Sequence, residues 1–230
     1  MVKNNVKFLP WDSTNFGFKV GKYLVEDLAN FSWDIFYKEL QENAYKLVYL
    51  ITPIKVETTA FYDYKLTYKK KRNTNNIKKD PHIFSYKGKA LSCQLLRVAL
   101  ESGKYSRYHL DERFPADKFE LLYHKWLENS LLTDYASDVL IYELNDKPVG
   151  LLTYKVLGEQ SSIGILATDP EYQGIGIGSA LMQYYESLLP DSVQTLEVVT
   201  QGVNMAARSF YEKFGYTIED SCYVYHIWSK

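Results

Sequence analysis

Residues 169–179 are Asp169-Pro170-Glu171-Tyr172-Gln173-Gly174-Ile175-Gly176-Ile177-Gly178-Ser179, and they place three glycines between two segments of regular structure. Upstream, residues 162–168 form a short apolar run typical of a buried strand. Downstream, apolar residues recur at helical spacing until Pro190 ends the pattern; they are Ala180, Leu181, Tyr184, Tyr185, Leu188 and Leu189. The sequence therefore predicts a glycine-rich turn at the start of an amphipathic helix.

Such a turn is suited to bind an anion. The first N–H groups of a helix have no intrahelical partners, and the helix dipole favours negative charge at that end. Glycines have no Cβ, so phosphate oxygens can approach the main chain closely. The stretch is therefore a candidate site for a phosphate or pyrophosphate, although a glycine-rich helix start without any ligand remains an alternative at this point.

The spacing of the glycines separates three kinds of phosphate loop. A P-loop requires a lysine after its last glycine, and none follows Gly178. A dinucleotide-binding fingerprint requires a third glycine where Ser179 stands, and Glu197, the candidate ribose-binding acid, falls inside the strand-like run 195–199. The remaining pattern is Gln-x-x-Gly-x-Gly, formed by Gln173, Gly176 and Gly178.

A second motif follows about thirty residues later. Residues 204–216, Asn204-Met205-Ala206-Ala207-Arg208-Ser209-Phe210-Tyr211-Glu212-Lys213-Phe214-Gly215-Tyr216, predict a helix that Gly215 ends at its C′ position. Taken alone, Phe210, Tyr211 and Phe214 could simply be the apolar face of that helix.

The two motifs in this order resemble the GCN5-related N-acetyltransferase (GNAT) superfamily over roughly the last 130 residues. The resemblance implies an α/β fold with a mixed central sheet flanked by helices, and acetyl-CoA as co-substrate without a metal. It implies Asn204 beside the pantetheine arm and Tyr211 as the acid that protonates the leaving thiolate. The residues that it assigns to acetyl-CoA are Leu166, Ala167, Thr168, Gln173, Gly174, Ile175, Gly176, Ile177, Gly178, Ser179 and Asn204.

The chemistry of acetyl transfer suits these residue types. A thiolate leaving group has a pKa of about 8.5, and a tyrosine of pKa about 10 is protonated at neutral pH and can donate to it. The thioester oxygen needs N–H donors where charge develops, and the resemblance implies that the backbone around Leu166 and Ala167 supplies one. Because residues 163–168 contain no Glu, Asp or His, we expect a water chain or a side chain from the substrate-side domain to deprotonate the amine.

The chain is predicted to have two parts, a substrate-side domain at 1–88 and the acetyl-CoA-binding domain at 89–230. The first contains a helix-like run at 33–46 and a strand-like run at 47–51. Its segment 60–68 is similar to 209–217, which suggests a degenerate half-copy of the same fold, or coincidence in a tyrosine-rich chain. A helix at 90–102 is predicted to link the parts, and the basic run 69–81 is predicted to be an exposed loop.

Two further segments bear on the acceptor. They are Trp11-Asp12-Ser13-Thr14-Asn15-Phe16-Gly17 and Tyr105-Ser106-Arg107-Tyr108-His109-Leu110-Asp111, the second preceding a long amphipathic helix that contains Phe119, Leu122, Tyr123, Trp126 and Leu127. Together they resemble the two-domain bacterial TDP-fucosamine acetyltransferases, although Asn15 and the residues after Arg107 depart from that pattern. The resemblance implies a nucleotide-sugar substrate, in surface-polysaccharide assembly, bound by Arg107, Trp11, Phe16 and Tyr105.

Residue chemistry agrees with this assignment but leaves an alternative. An arginine can pair with a diphosphate through its planar fork, and an aromatic ring can stack on a thymine or sugar face. Alternatively, Arg107 pairs with Asp111 or Glu112, and Trp11 and Phe16 belong to the core. An acetyltransferase for another small amine or a peptide N-terminus, or a non-catalytic acyl-CoA sensor, also remains open.

The amino-acid composition limits the classes of partner that we expect for this protein. Lys and Arg number 27 against 28 acidic residues, so the net charge of −1 gives no general attraction to nucleic acid or membrane. The two cysteines, Cys93 and Cys222, have no metal-site spacing, and residues 1–5 lead into no hydrophobic signal segment. We therefore expect a cytoplasmic protein without a metal; the sequence leaves a homodimer open.

Overall fold

The computed structural model describes residues 6–73 and 80–229. Residues 1–5 and the central part of the predicted basic loop, 74–79, lie outside this description. In the described ranges the strands are β1 (Lys7–Phe8), β2 (Val20–Leu24), β3 (Leu47–Thr52), β4 (Tyr62–Lys71), β5 (Ile83–Ser85), β6 (Asp138–Leu144), β7 (Lys147–Leu157), β8 (Gln160–Thr168), β9 (Thr195–Gln201) and β10 (Thr217–Trp228). The helices are α1 (Pro10–Phe16), α2 (Trp33–Glu42), α3 (Cys93–Gly103), α4 (Arg107–Leu110), α5 (Ala116–Leu132), α6 (Ile177–Leu188) and α7 (Met205–Lys213).

All of these strands belong to one sheet, in the order β1-β2-β3-β10-β4-β9-β8-β7-β6-β5. The pairs β2–β3 and β8–β9 are parallel and the others are antiparallel. The predicted fold class, a mixed central sheet flanked by helices, is therefore confirmed. The domain division at residue 88 stays a prediction; β4, from the first part of the chain, lies between β9 and β10 of the second.

Side chains of β4 alternate between the two faces of this sheet, as the period of a strand requires. Leu66 and Tyr68 belong to the core cluster that includes α6 and α7. Asp63 and Lys65 point to the opposite face, where α3 and α5 pack on the sheet. The site described below spans the gap at the middle of the sheet: Lys65 lines it from this second face, and Tyr211 of α7 lines it from the first.

Two expectations for the N-terminal part are wrong, the loop at 69–71 and the helix over 43–46, while the half-copy interpretation stays a prediction. Residues 62–64 lie in β4, whereas the corresponding residues 211–213 lie in α7, so this pair of segments gives the half-copy interpretation no structural support. Lys69–Lys71 are not loop residues: they pair with Thr195–Glu197 of β9, because alternation along β4 continues through the basic run. The helix predicted at 33–46 ends at Glu42, where Asn43 caps it and Ala44 has a φ of 53°.

The helix α6 forms where the apolar period predicted it. Leu181, Met182 and Tyr185 are fully buried against the sheet, and burying each such side chain stabilises the fold by roughly 1.5–3 kcal/mol. In residues 6–73 and 80–229, no helix has both the length and the apolar composition to cross a bilayer.

Candidate active site

The centre of the sheet contains a fork between two parallel strands. Residues 160–163 of β8 pair with 195–198 of β9, and the two strands then separate. Beyond this point β8 pairs only with β7, and β9 pairs only with β4. The backbone groups of β8 that face the gap, within Gly164–Thr168, therefore have no ladder partner on that side and can bind a ligand.

The glycine-rich turn follows the end of β8, as predicted. Gly174 and Gly176 have φ values of 82° and 96°, in the left-handed region where a side chain is strained, and Gly176 is the N-cap of α6. Ala180 is the first residue whose N–H reaches a carbonyl oxygen of this turn, that of Gly176 at 2.9 Å. The N–H groups of Ile177, Gly178 and Ser179 thus remain available to an anion.

A cleft of about 1080 Å³ runs from this turn across the sheet. It brings together most of the predicted site residues, namely Trp11, Tyr105, Arg107, Leu166, Ala167, Thr168, Gln173, Gly178, Asn204 and Tyr211. Gly174, Ile175, Gly176, Ile177 and Ser179 do not line it. The Ile177 side chain is buried in the core, so only backbone atoms of this residue can serve a ligand.

Tyr211 lies on α7, lines the cleft and is 6% exposed. Its ring lies about 6 Å from two other tyrosines, with centroid distances of 6.1 Å to Tyr68 and 6.0 Å to Tyr216. Burial raises the pKa of Tyr211 well above its ordinary value, so the phenol keeps its proton at neutral pH. The phenol is thus protonated, as a general acid must be, and the role of Tyr211 as that acid stays a prediction.

Asn204 lines the cleft and also caps a helix. It is the N-cap of α7, and its side-chain oxygen accepts a hydrogen bond from the N–H of Ala207 at 3.1 Å. This capping bond orients the side chain and leaves its amide NH₂ as the group that could contact a ligand.

Phe16 is a correction to the sequence prediction. Only 2% of the residue is exposed, and its ring contacts that of Phe114 with a centroid distance of 5.0 Å. A side chain enclosed in this way cannot stack on a substrate. Trp11 lines the cleft, whereas Phe16 points inward at the end of α1, directly before Gly17, which has a φ of 77°.

Arg107 is held in a cluster of charged and aromatic side chains. Its guanidinium lies 5.0 Å from the ring centroid of Tyr49 and 4.3 Å from that of Tyr108. Asp12 and Asp63 are the acidic residues whose charges interact with this guanidinium. The expected alternative pairing with Asp111 is absent from the described residues, because Asp111 instead accepts hydrogen bonds from His226 at 2.7 Å and Trp228 at 2.8 Å.

Both acids of this cluster are affected by burial. Burial raises the pKa of Asp63 to about 6, although the charges of Arg107 and Lys65 oppose the shift. Burial also raises the pKa of Asp12, whose carboxylate accepts a hydrogen bond from the Tyr49 hydroxyl at 3.3 Å. Two titratable carboxylates thus lie beside one arginine, an arrangement frequent at binding and catalytic sites.

The sequence interpretation missed Asp12, Asp63 and Lys65. Asp12 and Lys65 line the cleft, and Asp63 shares a face of β4 with Lys65. The signal for the two β4 residues is the alternation of polar and apolar side chains along 63–68, which predicts a strand with one polar face. The similarity of 60–68 to the helix-forming segment 209–217 masked this alternation.

Comparisons with known proteins agree with this geometry. The sequence profile of the Acetyltransferase (GNAT) family matches residues 95–216, which include α3 to α7 and the fork. The chain is 28% identical over 137 residues to the Bacillus subtilis spore coat polysaccharide biosynthesis protein SpsD; the match covers 59% of this chain and 46% of SpsD. It is 27% identical over 112 residues to the Escherichia coli [Ribosomal protein bS18]-alanine N-acetyltransferase, covering 47% of this chain and 71% of that protein. The chain thus spans less than half the length of SpsD.

Solved structures share the fold over nearly the whole chain. A conserved protein of unknown function from Staphylococcus epidermidis aligns with a TM-score of 0.67 and 13% identity, covering 100% of this chain and 93% of that one. A GCN5-related N-acetyltransferase from Sphaerobacter thermophilus aligns with a TM-score of 0.58 and 11% identity, covering 97% and 76%. From the family match over residues 95–216, the chain belongs to the acetyltransferase (GNAT) family.

Proposed function

We propose that the protein transfers the acetyl group of acetyl-CoA to the amine of a nucleotide-linked amino sugar, such as a TDP-4-amino-4,6-dideoxyhexose. The amine attacks the thioester directly while both substrates are bound. The observation that carries this proposal is the length of the cleft, which continues far beyond the fork to the Arg107 cluster.

The strand order indicates how long an acceptor must be to contact both ends of the cleft. Arg107 lies over Tyr49 of β3, and three strand-to-strand intervals separate β3 from β9. At about 4.8 Å per interval, the far side of the Arg107 cluster, at Tyr49, is about 14 Å from β9, whereas Asp63 of β4 lies one interval away. An acceptor that contacts both ends must be extended, which favours a sugar with a nucleotide over a small free amine.

The chemical groups on the cleft wall suit such a molecule. Trp11 is 41% exposed and offers a ring for stacking on a base or sugar, and Tyr105 lies on the same wall. Arg107 supplies a permanent positive charge for the nucleotide end. The relative named for spore coat polysaccharide biosynthesis supports a sugar-linked role for this chain.

The proposed mechanism uses three groups at the fork. The N–H groups of Ile177, Gly178 and Ser179 bind the CoA pyrophosphate. Backbone N–H groups around Leu166 and Ala167 stabilise the oxyanion of the tetrahedral intermediate. As the C–S bond breaks, Tyr211 donates its proton to the departing thiolate, and the proton that the amine loses passes to water, which reprotonates Tyr211.

A peptide N-terminus is a second candidate acceptor, because an extended peptide would also reach along the cleft and one relative is named as an alanine N-acetyltransferase. A panel assay separates the two. CoA release is measured with TDP- and UDP-linked 4-amino-6-deoxyhexoses and with an alanine-initiated peptide. The proposal expects turnover with a nucleotide-linked sugar and none with the peptide; turnover with the peptide alone would reject it.

A further inference from the structure

Lys65 is a cation on the floor of the cleft with no assigned task. It lies on β4 between Gln201 of β9 and Cys222 of β10, and its side chain lines the cleft. In the part of the chain that the structure describes, its ammonium forms no ion pair and no side-chain hydrogen bond. Lys69, four residues along the same face, is by contrast paired with Glu197 at 3.7 Å.

The environment of Arg107 is different. Its positive charge acts on both Asp12 and Asp63, and its guanidinium is sandwiched against the rings of Tyr49 and Tyr108. Its guanidinium donates a hydrogen bond to the Tyr108 hydroxyl, and its Nε is buried without a partner among the described residues. Lys65 lies on β4, next to β9, so a diphosphate one sugar ring from the fork would reach Lys65 first.

The register places Lys65 at a useful distance from the fork. Val199, the first residue of β9 beyond the fork, pairs with Thr67, and Lys65 lies two residues further along β4. One strand interval and two residues correspond to a displacement of about 8 Å between Val199 and Lys65. The far side of the Arg107 cluster, at Tyr49 of β3, is three strand intervals or about 14 Å from β9. One sugar ring can span the shorter distance, and a sugar with its diphosphate and nucleoside is needed for the longer.

We infer that Lys65 binds the diphosphate of the acceptor, and that Arg107, Asp12 and Trp11 receive the nucleoside beyond it. This inference rests on the proposed function and deepens it. It assigns the diphosphate to Lys65 rather than to Arg107, and it predicts that the enzyme requires an acceptor with an anionic group one sugar ring away from the amine.

The test uses thymidine diphosphate as a probe, with binding measured by calorimetry at fixed ionic strength. Lys65→Met removes the charge and keeps most of the side-chain volume, and we expect it to weaken binding roughly 10- to 100-fold. Lys65→Arg keeps the charge and should remain within a few-fold of the wild type. Lys71→Met, on the same face of β4 but outside the cleft, is the matched control and should bind as the wild type does.

Unchanged affinity in Lys65→Met, equal weakening in Lys65→Met and Lys71→Met, or no binding of thymidine diphosphate to the wild type would each overturn the inference. The acetylation assay distinguishes this from failure of the proposed function. If the wild type acetylates a nucleotide-linked amino sugar and Lys65→Met has the same KM for it, only the assignment of Lys65 fails. If the wild type acetylates none of them, the proposed function fails.

Discussion

Ile163 of β8 and Val198 of β9 are the last paired residues of two parallel strands that separate beyond them. The gap persists because each strand is paired on its other side. Leu166 pairs with Leu152 of β7, and Val199 pairs with Thr67 of β4. The opening is therefore fixed by the strand order rather than by a loop, and it gives the substrates a rigid site.

The glycine-rich turn should bind CoA through its backbone. Gly176→Asp adds a side chain and a negative charge beside the expected pyrophosphate, so it should nearly abolish acetyl-CoA binding measured by calorimetry. Gly88→Asp is the control for backbone strain, because Gly88 also has a positive φ, 78°, with no atom within 4 Å of an added Cβ. Unchanged acetyl-CoA affinity in a folded Gly176→Asp variant would reject this site.

Tyr211→Phe tests the general acid. Removal of the hydroxyl should lower kcat roughly 10²- to 10⁴-fold while acetyl-CoA affinity stays close to that of the wild type. Tyr216→Phe is a matched control, because its ring lies 6.0 Å from that of Tyr211 and its hydroxyl is buried without a partner in the described structure. A wild-type kcat in Tyr211→Phe would show that Tyr211 is a core residue and not the general acid.

Sequence alone predicted the fold of the C-terminal part of the molecule well. Gly174, Gly176 and Gly215 have positive φ values that local sequence expresses, and the apolar period of 180–189 predicted α6. The acceptor half was less predictable because its residues meet only through the strand order. Lys65 reaches the cleft, with Asp63 beside it on the same face of β4, because β4 lies between β9 and β10, a long-range pairing that no local pattern contains.

Local sequence also could not predict which aromatic residues are exposed and which are buried. Trp11 and Phe16 are five residues apart in one short segment, and both were assigned to the substrate. The structure exposes Trp11 and buries Phe16 against Phe114, a contact that depends on how the segment after α4 packs.

Arg107→Ala should raise KM for the nucleotide-linked acceptor at least about tenfold, because a charge-assisted contact in a partly desolvated cleft contributes ~1.5–3 kcal/mol. KM for acetyl-CoA should change little. Arg113→Ala removes a nearby arginine that is exposed and does not line the cleft, and it should leave both constants unchanged. Equal weakening of both substrates in Arg107→Ala would indicate a purely structural role.

Asp63→Asn should change how stability depends on pH. The pKa of Asp63 rises from 3.8 to about 6 on folding, so the folded state binds more protons between these values and stability falls as pH rises through this window. Asparagine cannot ionise. The free energy of unfolding of Asp63→Asn relative to wild type should therefore increase from pH 4 to pH 8, by up to about 3 kcal/mol.

Urea unfolding of both proteins across that pH range measures this difference. A difference that does not change with pH, or one that decreases as pH rises, would show that burial does not disfavour the ionised Asp63.

The central claim is that the acceptor extends from the fork to the Arg107 cluster. The most direct test compares kcat/KM for a TDP-linked 4-amino-4,6-dideoxyhexose with kcat/KM for the same amino sugar without its nucleotide. The claim predicts a value at least about 100-fold higher for the nucleotide-linked acceptor, because two or more charge-assisted contacts are lost with the nucleotide. Equal values for the two acceptors would contradict it.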